Sequence, residues 1–490
     1  MNYEKLRTNF QERVAHTKFF TLSLVIHIAV VVVFGGMVII HSHQSEPEFA
    51  SNGAYQFEEL DLTTHSREPE PQPTMPEVKT AAVAVPELKS AKVPDVIKSS
   101  RGESHALPGL RMNLTNLDIA KVDTFVSVSS PKIGGEMGLR FMRDGSGHIM
   151  MGGARGSGPT PTKATEEAVM RGLAWLQKVQ NADGSWGERN RGAMTGLALL
   201  CFLGHGEYGQ SPQFGFTVNH ALEWIVANGT ASQSRLSMSR DGWGSGNAGV
   251  YEHGIATYAL GEYYTMTMLA GSPDERVVEL FRGAVRHIID GQGPDGGWMY
   301  DFNKTQSDTS VSGWQVQALK TAHLSGLKIP GVDTALDRAM LNFQRVQTER
   351  GGYGYRKAED RWSLTGVGVL CELFWRSSRD AGSRRSVEFI MAGLDANPLR
   401  YDHERADLYA WYYHTQALLM FGNQAWKKWE ALMSRELVKS QAPDGSWPVM
   451  ANPAHGGLQK ESSTTGAVYR TALSVLMLES YYRYLPANRS

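Results

Sequence analysis

Cysteine is nearly absent from this chain: Cys201 and Cys371 are the only two among 490 residues. That excludes a disulfide framework standing in for a hydrophobic core, and leaves no thiols clustered at zinc-ligand spacing. Each cysteine lies in an apolar helical run, Leu199-Leu200-Cys201-Phe202 and Val369-Leu370-Cys371-Glu372. The two read as buried structural thiols, with one disulfide between them left open. Net charge is lacking as well. Lys and Arg number 49 against 50 Asp and Glu, a formal charge of −1, so no overall basic field invites nucleic acid.

A local absence says more. No charged residue occurs from Phe19 to Ile40, close to the roughly 20 apolar residues a helix needs to cross a bilayer. Lys5, Arg7, Arg13 and Lys18 precede this run, and the next basic residue is Arg67, beyond Glu46, Glu48, Glu58, Glu59 and Asp61. The bias predicts a cytoplasmic stub over 1–18, a transmembrane helix over 19–40 and a periplasm-facing remainder. The run is longer than the ~7–15-residue core of a cleaved signal peptide and ends Val38-Ile39-Ile40-His41, so an uncleaved single-pass anchor in the inner membrane is expected. Within it Ser23 and His27 stand one turn apart on one helix face. An ionisable residue at membrane depth points to function.

Residues 41–161 read as a flexible linker. Glu68-Pro69-Glu70-Pro71-Gln72-Pro73 and the recurring Pro76, Pro86, Pro94 and Pro108 favour an extended spacer that buries little surface. From Leu110 to Val128 a short element is possible. From Gly134 to Gly158 glycine is dense and no periodicity survives.

Past residue 162 the pattern turns helical and repeats. Gln180-Asn-Ala-Asp-Gly184-Ser-Trp186 recurs as Gln292-Gly-Pro-Asp-Gly296-Gly-Trp298 and Gln441-Ala-Pro-Asp-Gly445-Ser-Trp447, with a variant Gln347-Thr-Glu-Arg-Gly351-Gly-Tyr353. Apolar helices follow, their starts aligned at Met194-Thr195-Gly196, His253-Gly254-Ile255, Ser312-Gly313-Trp314, Leu364-Thr365-Gly366, His414-Thr415-Gln416 and Arg470-Thr471-Ala472. The starts are about 50 to 60 residues apart, one helical hairpin per period. Six hairpins predict an all-α fold, an α6/α6 toroid over 162–490, with an open superhelix as the alternative.

These motifs, with Tyr251-Glu252-His253-Gly254, Asp308-Thr309-Ser310-Val311-Ser312-Gly313-Trp314-Gln315 and Tyr482-Arg483-Tyr484-Leu485-Pro486, resemble the squalene cyclase/protein prenyltransferase repeat superfamily, in its membrane-anchored bacterial branch. The Ser-x-x-x-His anchor is similar to TonB/TolA-type energy transducers, which implies membrane coupling through Ser23 and His27 to ExbB/ExbD- or TolQ/TolR-like motor proteins.

Inner-helix N-termini converge on one mouth of such a toroid, with unpaired N–H groups directed at it. The aligned starts place candidate catalytic residues Asp308, His253 and His414 there, and candidate ligand-binding residues Ser312, Trp314, Thr365, Arg470 and Tyr412. Asp308 also reads as a helix cap. Glu252 is placed to orient His253 or to face solvent, and Asp402, His403, Glu404 and Asp407 form a polar loop cluster. By the resemblance, cyclases protonate an alkene with the middle Asp of Asp-x-Asp-Asp; the matching stretch here is Thr305-Gln306-Ser307-Asp308, with Ser307 in the acid's place. Prenyltransferases bind zinc through Asp-x-Cys and a distant His; Tyr412-Tyr413-His414-Thr415 is similar to the His segment, but the sequence has no Asp-x-Cys. Neither a metal nor another cofactor is therefore expected. The function expected is binding of a hydrophobic, polyprenoid ligand or a polysaccharide-like polymer. The alternatives are an enzyme of the terpene cyclase type using Asp308, and a TonB-like transducer carrying the toroid.

Overall fold

The computed structural model describes residues 141–143, 149–151, 162–237, 248–269, 273–300, 302, 306–376, 379–404, 406–450 and 457–480. The stub over 1–18, the membrane helix expected over 19–40 with Ser23 and His27, and the Pro/Glu-rich half of the linker lie outside them. Among the described residues no helix is long and apolar enough to cross a membrane. The glycine-dense segment, read above as lacking regular structure, holds an antiparallel pair, β1 (Phe141–Arg143) and β2 (Ile149–Met151). Three residues in each strand are too short a signal to stand out among surrounding glycines.

Twelve α-helices among the described residues make six hairpins. They are α1 (Lys163–Lys178), α2 (Arg191–Gly204), α3 (Gly215–Ala231), α4 (Ala248–Leu269), α5 (Glu275–Asp290), α6 (Thr309–Leu324), α7 (Val332–Val346), α8 (Trp362–Arg376), α9 (Ala381–Ala396), α10 (Leu408–Phe421), α11 (Asn423–Ser440) and α12 (Thr464–Leu478). The even-numbered helices pack side by side in the order α2, α4, α6, α8, α10, α12, and α12 returns to α2. Each also packs on the outer helix that follows it, and α12 on α1, so the ring closes as a toroid. The sequence explains the division. Every residue of α6 from Thr309 to Leu319 is buried, whereas α5 buries only one stripe (Val277, Val278, Leu280, Phe281, Ala284, Val285, Ile288).

The repeated motif is the joint of this ring. Gln292 Nε2 donates to the Gly296 carbonyl at 2.7 Å and to the Ala335 carbonyl of the next outer helix at 2.8 Å. Gln180 reaches Thr217 and Gln441 reaches Ala168 in the same way. The tryptophan indole turns back onto its own outer helix: Trp186 to Leu176, Trp298 to Ile288 and Trp447 to Leu437. Its backbone N–H donates to a hydroxyl in the inner helix, Thr195, Ser312 or Thr471, and Tyr353 N–H does so to Thr365. The glycine has φ between 91° and 96° in all four copies, and at Gly296 a Cβ would run into the Arg338 carbonyl of the next outer helix. A left-handed turn pressed against a neighbouring backbone admits only glycine.

Where the last hairpin meets the first, a histidine carries the seam. His205 caps the C-terminus of α2 and is almost wholly buried. Its Nδ1 lies 3.0 Å from Glu207 and its Nε2 3.2 Å from Glu166 of α1, with Glu479, the C-cap of α12, acting on it through its charge. Burial opposes the imidazolium, but the three carboxylates outweigh it and push His205 up to about 10.

Candidate functional site

Asp308 is wholly buried and caps α6. Its Oδ1 accepts from the Ser310 backbone N–H at 2.7 Å, the Ser310 hydroxyl at 2.5 Å and the Val311 N–H at 3.3 Å. Its Oδ2 accepts from the Tyr300 hydroxyl at 2.5 Å, and Tyr300 is hydrogen-bonded to Tyr355. Thr309 fixes this end by donating its N–H to the Tyr355 carbonyl and its hydroxyl to that of Gly354. Behind Asp308, Tyr251 of α4 bonds to the Ser310 hydroxyl at 2.7 Å and Tyr409 of α10 donates to the Ser310 carbonyl at 3.1 Å. Three inner helices thus meet through phenols at one level of the ring.

Tyr355 is the half-buried, outermost member of this chain, with the Arg356 and Arg361 guanidiniums 5.1 and 5.9 Å from its ring. Burial, then the negative charge of Asp308, pushes the hydroxyls of Tyr251, Tyr300 and Tyr355 upward. They stay neutral donors at ordinary pH. The arrangement is a hydrogen-bond relay from the rim to a buried acceptor.

Ser307, standing where the resemblance puts a cyclase's acid, is buried and bound to Asp295 through both its hydroxyl and its N–H. Asp295 belongs to the second motif turn and pairs with Arg345 at 3.2 Å. Ser307 therefore serves the joint.

The three candidate catalytic residues are not brought together. Asp308 bonds to neither histidine. His253 accepts from the Leu236 N–H at 3.0 Å through Nδ1 and donates from Nε2 to the Ala284 carbonyl of α5 at 3.0 Å. Burial holds it down to about 3, so the ring is neutral. His414 is sandwiched between Trp362 and Trp429, at 4.3 and 5.3 Å between centroids, and burial lowers it to about 4. His253 is bonded to its own outer helix, whereas His414 lies between Trp362 of inner helix α8 and Trp429 of outer helix α11.

The candidate ligand residues divide likewise. Ser312 and Thr365 are the hydroxyl acceptors of the motif joints. Arg470, 2% exposed, donates to the carbonyls of Trp447, Leu458, Gln459 and Glu461 and so pins the segment ahead of α12. Trp314 stacks on Tyr412 at 5.4 Å and meets Tyr413 edge-on at 5.5 Å, while Gln317 bonds to both tyrosines. These rings are buried inside the toroid between α6 and α10. Glu252 accepts from the Gly192 N–H at 2.8 Å, capping the neighbouring inner helix α2 rather than facing solvent. Asp407 caps α10 through the Ala410 N–H. Among the described residues no group of three His, Cys, Asp or Glu is placed to hold a metal ion.

Tyr300 and Tyr355, which the sequence offers among the aromatics able to line a cavity, are marked by the motif itself. The second and fourth motif copies continue as Trp298-Met299-Tyr300 and Tyr353-Gly354-Tyr355, whereas the first and third give Glu188 and Val449 at that place. The two extra tyrosines belong to adjacent hairpins and flank Asp308.

No family model and no curated protein matches the chain. Solved structures do. A type II terpene cyclase from Scytonema, MstE, in complex with geranylgeranyl dihydroxybenzoate, is 13% identical over 65% of this chain and 97% of its own, with a TM-score of 0.44. The GH76A α-1,6-mannanase of a Salegentibacter species, in complex with α-1,6-mannotetrose, is 10% identical over 66% of this chain and 99% of its own, with a TM-score of 0.45. A possible GH105 family member from Salmonella enterica is 13% identical over 65% and 93%, with a TM-score of 0.42. Likeness this distant assigns no activity, and the toroid rests on the ring closure described above.

Proposed function

We propose that this chain is a single-pass inner-membrane protein that presents its toroid to the periplasm. The toroid binds a polymeric or polyprenoid ligand at the mouth, around Tyr355, Tyr300 and Asp308, without cyclase or zinc prenyltransferase chemistry. The observation that carries this reading is the bonding of Asp308: four donors reach its two oxygens. That suits a hydrogen-bond acceptor. Alkene protonation needs the opposite, a neutral carboxyl that donates, and Ser307 is committed to Asp295. The buried rings of Tyr251, Tyr409, Trp314 and Tyr412 favour a ligand held at the rim over a long apolar chain threaded along the axis. The anchor rests on the run from Phe19 to Ile40 and its basic flank.

Titrating the full-length chain with soluble oligosaccharides and with vesicles carrying polyprenol tests the site. Binding of one probe class should weaken about tenfold or more in Tyr355→Phe and Asp308→Asn, consistent with ~1.5–3 kcal/mol for a hydrogen bond to a charged group. Equal affinity in the parent and both variants would remove the mouth from the account.

A further inference from the structure

Two exposed arginines line one cavity, and among the described residues neither pairs with a carboxylate. The cavity, about 410 Å³, lies where α10 turns into α11 through Gly422, at the end of the ring opposite the Asp308 mouth. Arg379, Arg384, Val387, Glu388, Phe421 and Asn423 line it. Arg379 donates to the Met420 carbonyl at 3.2 Å and stands 5.9 Å from the Phe421 ring. Arg384 donates through Nε to the Arg379 carbonyl at 3.1 Å. These bonds hold both side chains at one opening, and among the described residues most of each donor fork is left unbonded. Glu388 shares the wall, yet among the described residues neither arginine pairs with a carboxylate.

Arg379 and Arg384 are both exposed, so water solvates the two guanidiniums until an anion takes its place. A guanidinium fork matches the oxygens of a carboxylate or phosphate. Val387 and Phe421, both buried, supply an apolar floor. The volume falls within the ~300–1,000 Å³ range of small-molecule sites. We propose that this cavity binds an oxyanion, carboxylate or phosphate, joined to a compact apolar group, with the oxyanion on Arg379 and Arg384 and the apolar group against Val387 and Phe421. The site is independent of the mouth.

The test uses the full-length chain in a neutral detergent, with benzyl phosphate as probe and benzyl alcohol as its uncharged control. Benzyl phosphate should bind saturably and raise the melting temperature, and the alcohol should do neither. Arg379→Gln and Arg384→Gln should each weaken binding at least tenfold, and Arg384→Lys by less. Without the anion, Arg384→Gln should melt close to the parent, because the side chain is exposed and gives up one backbone hydrogen bond; a merely structural arginine would lower it clearly. Phosphatidylglycerol vesicles that compete with benzyl phosphate would identify the oxyanion as a lipid headgroup, and failure to compete would identify a soluble ligand. No saturable binding by the parent, or undiminished binding in both glutamine variants, would overturn the proposal.

Discussion

Replacing Asp308 by alanine should destabilise the toroid by about 3–5 kcal/mol, more than any other single change at the mouth. Loss of a side-chain cap costs roughly 1–2 kcal/mol. Removal of the carboxylate also takes the acceptor from the Ser310 N–H and leaves the buried Tyr300 hydroxyl with Tyr355 alone, at about 1–3 kcal/mol for each donor left unsatisfied. The sum is moderated because Ser310 can still bond to Tyr251. Asp308→Asn keeps the cap and most of the geometry, so it should lose less than half as much. Urea unfolding of the purified variants measures both values. An alanine variant as stable as the parent would show that the tyrosines and α6 do not depend on this carboxylate.

The second large effect is a loss of stability at alkaline pH. His205 is raised from 6.5 to about 10 in the folded chain. A group held above its unfolded value stabilises fully below that value, and its contribution disappears as pH rises through the folded one. The contribution is thus complete below about pH 6.5 and is lost progressively up to about pH 10. Its size is on the order of 4 kcal/mol. His205→Gln should be less stable than the parent at pH 6.5 and should converge on it near pH 10, where lysine and tyrosine titration affects both alike. Parallel pH profiles for the two proteins would mean that the seam is held by packing alone.

Much of the architecture was legible in the residues because the joints repeat. The glutamine that bridges two outer helices, the glycine forced to positive φ and the indole that returns to its own helix must recur together. Three full copies and one variant therefore predicted the six hairpins. The inner helices start up to six residues before the aligned positions: α6 begins at Thr309 and α10 at Leu408, not at Ser312 and His414. What had been aligned was one turn inside the helices, the place of the hydroxyls that receive the motif N–H groups. Aligning sequences fixes depth along a helix but not direction around it. The alignment therefore sets His253 and His414 at the mouth, whereas the fold bonds His253 to its outer helix and stacks His414 between Trp362 and Trp429. Asp308 was legible because a cap announces itself locally. The bonding of Tyr300 and Tyr355 to it was not, nor the approach of Tyr251 and Tyr409, since these come from two turns of different hairpins and from helices across the ring.

A mouth that binds without turning its ligand over leaves that ligand chemically unchanged, which product analysis reads out. The full-length chain would be incubated with squalene and with a longer polyprenol, followed by extraction and mass spectrometry with chromatographic separation of isomers. The account predicts both lipids recovered unchanged and uncyclised, in the parent and in Asp308→Asn alike. A cyclised isomer formed by the parent and missing from Asp308→Asn would contradict it and make Asp308 a catalytic acid.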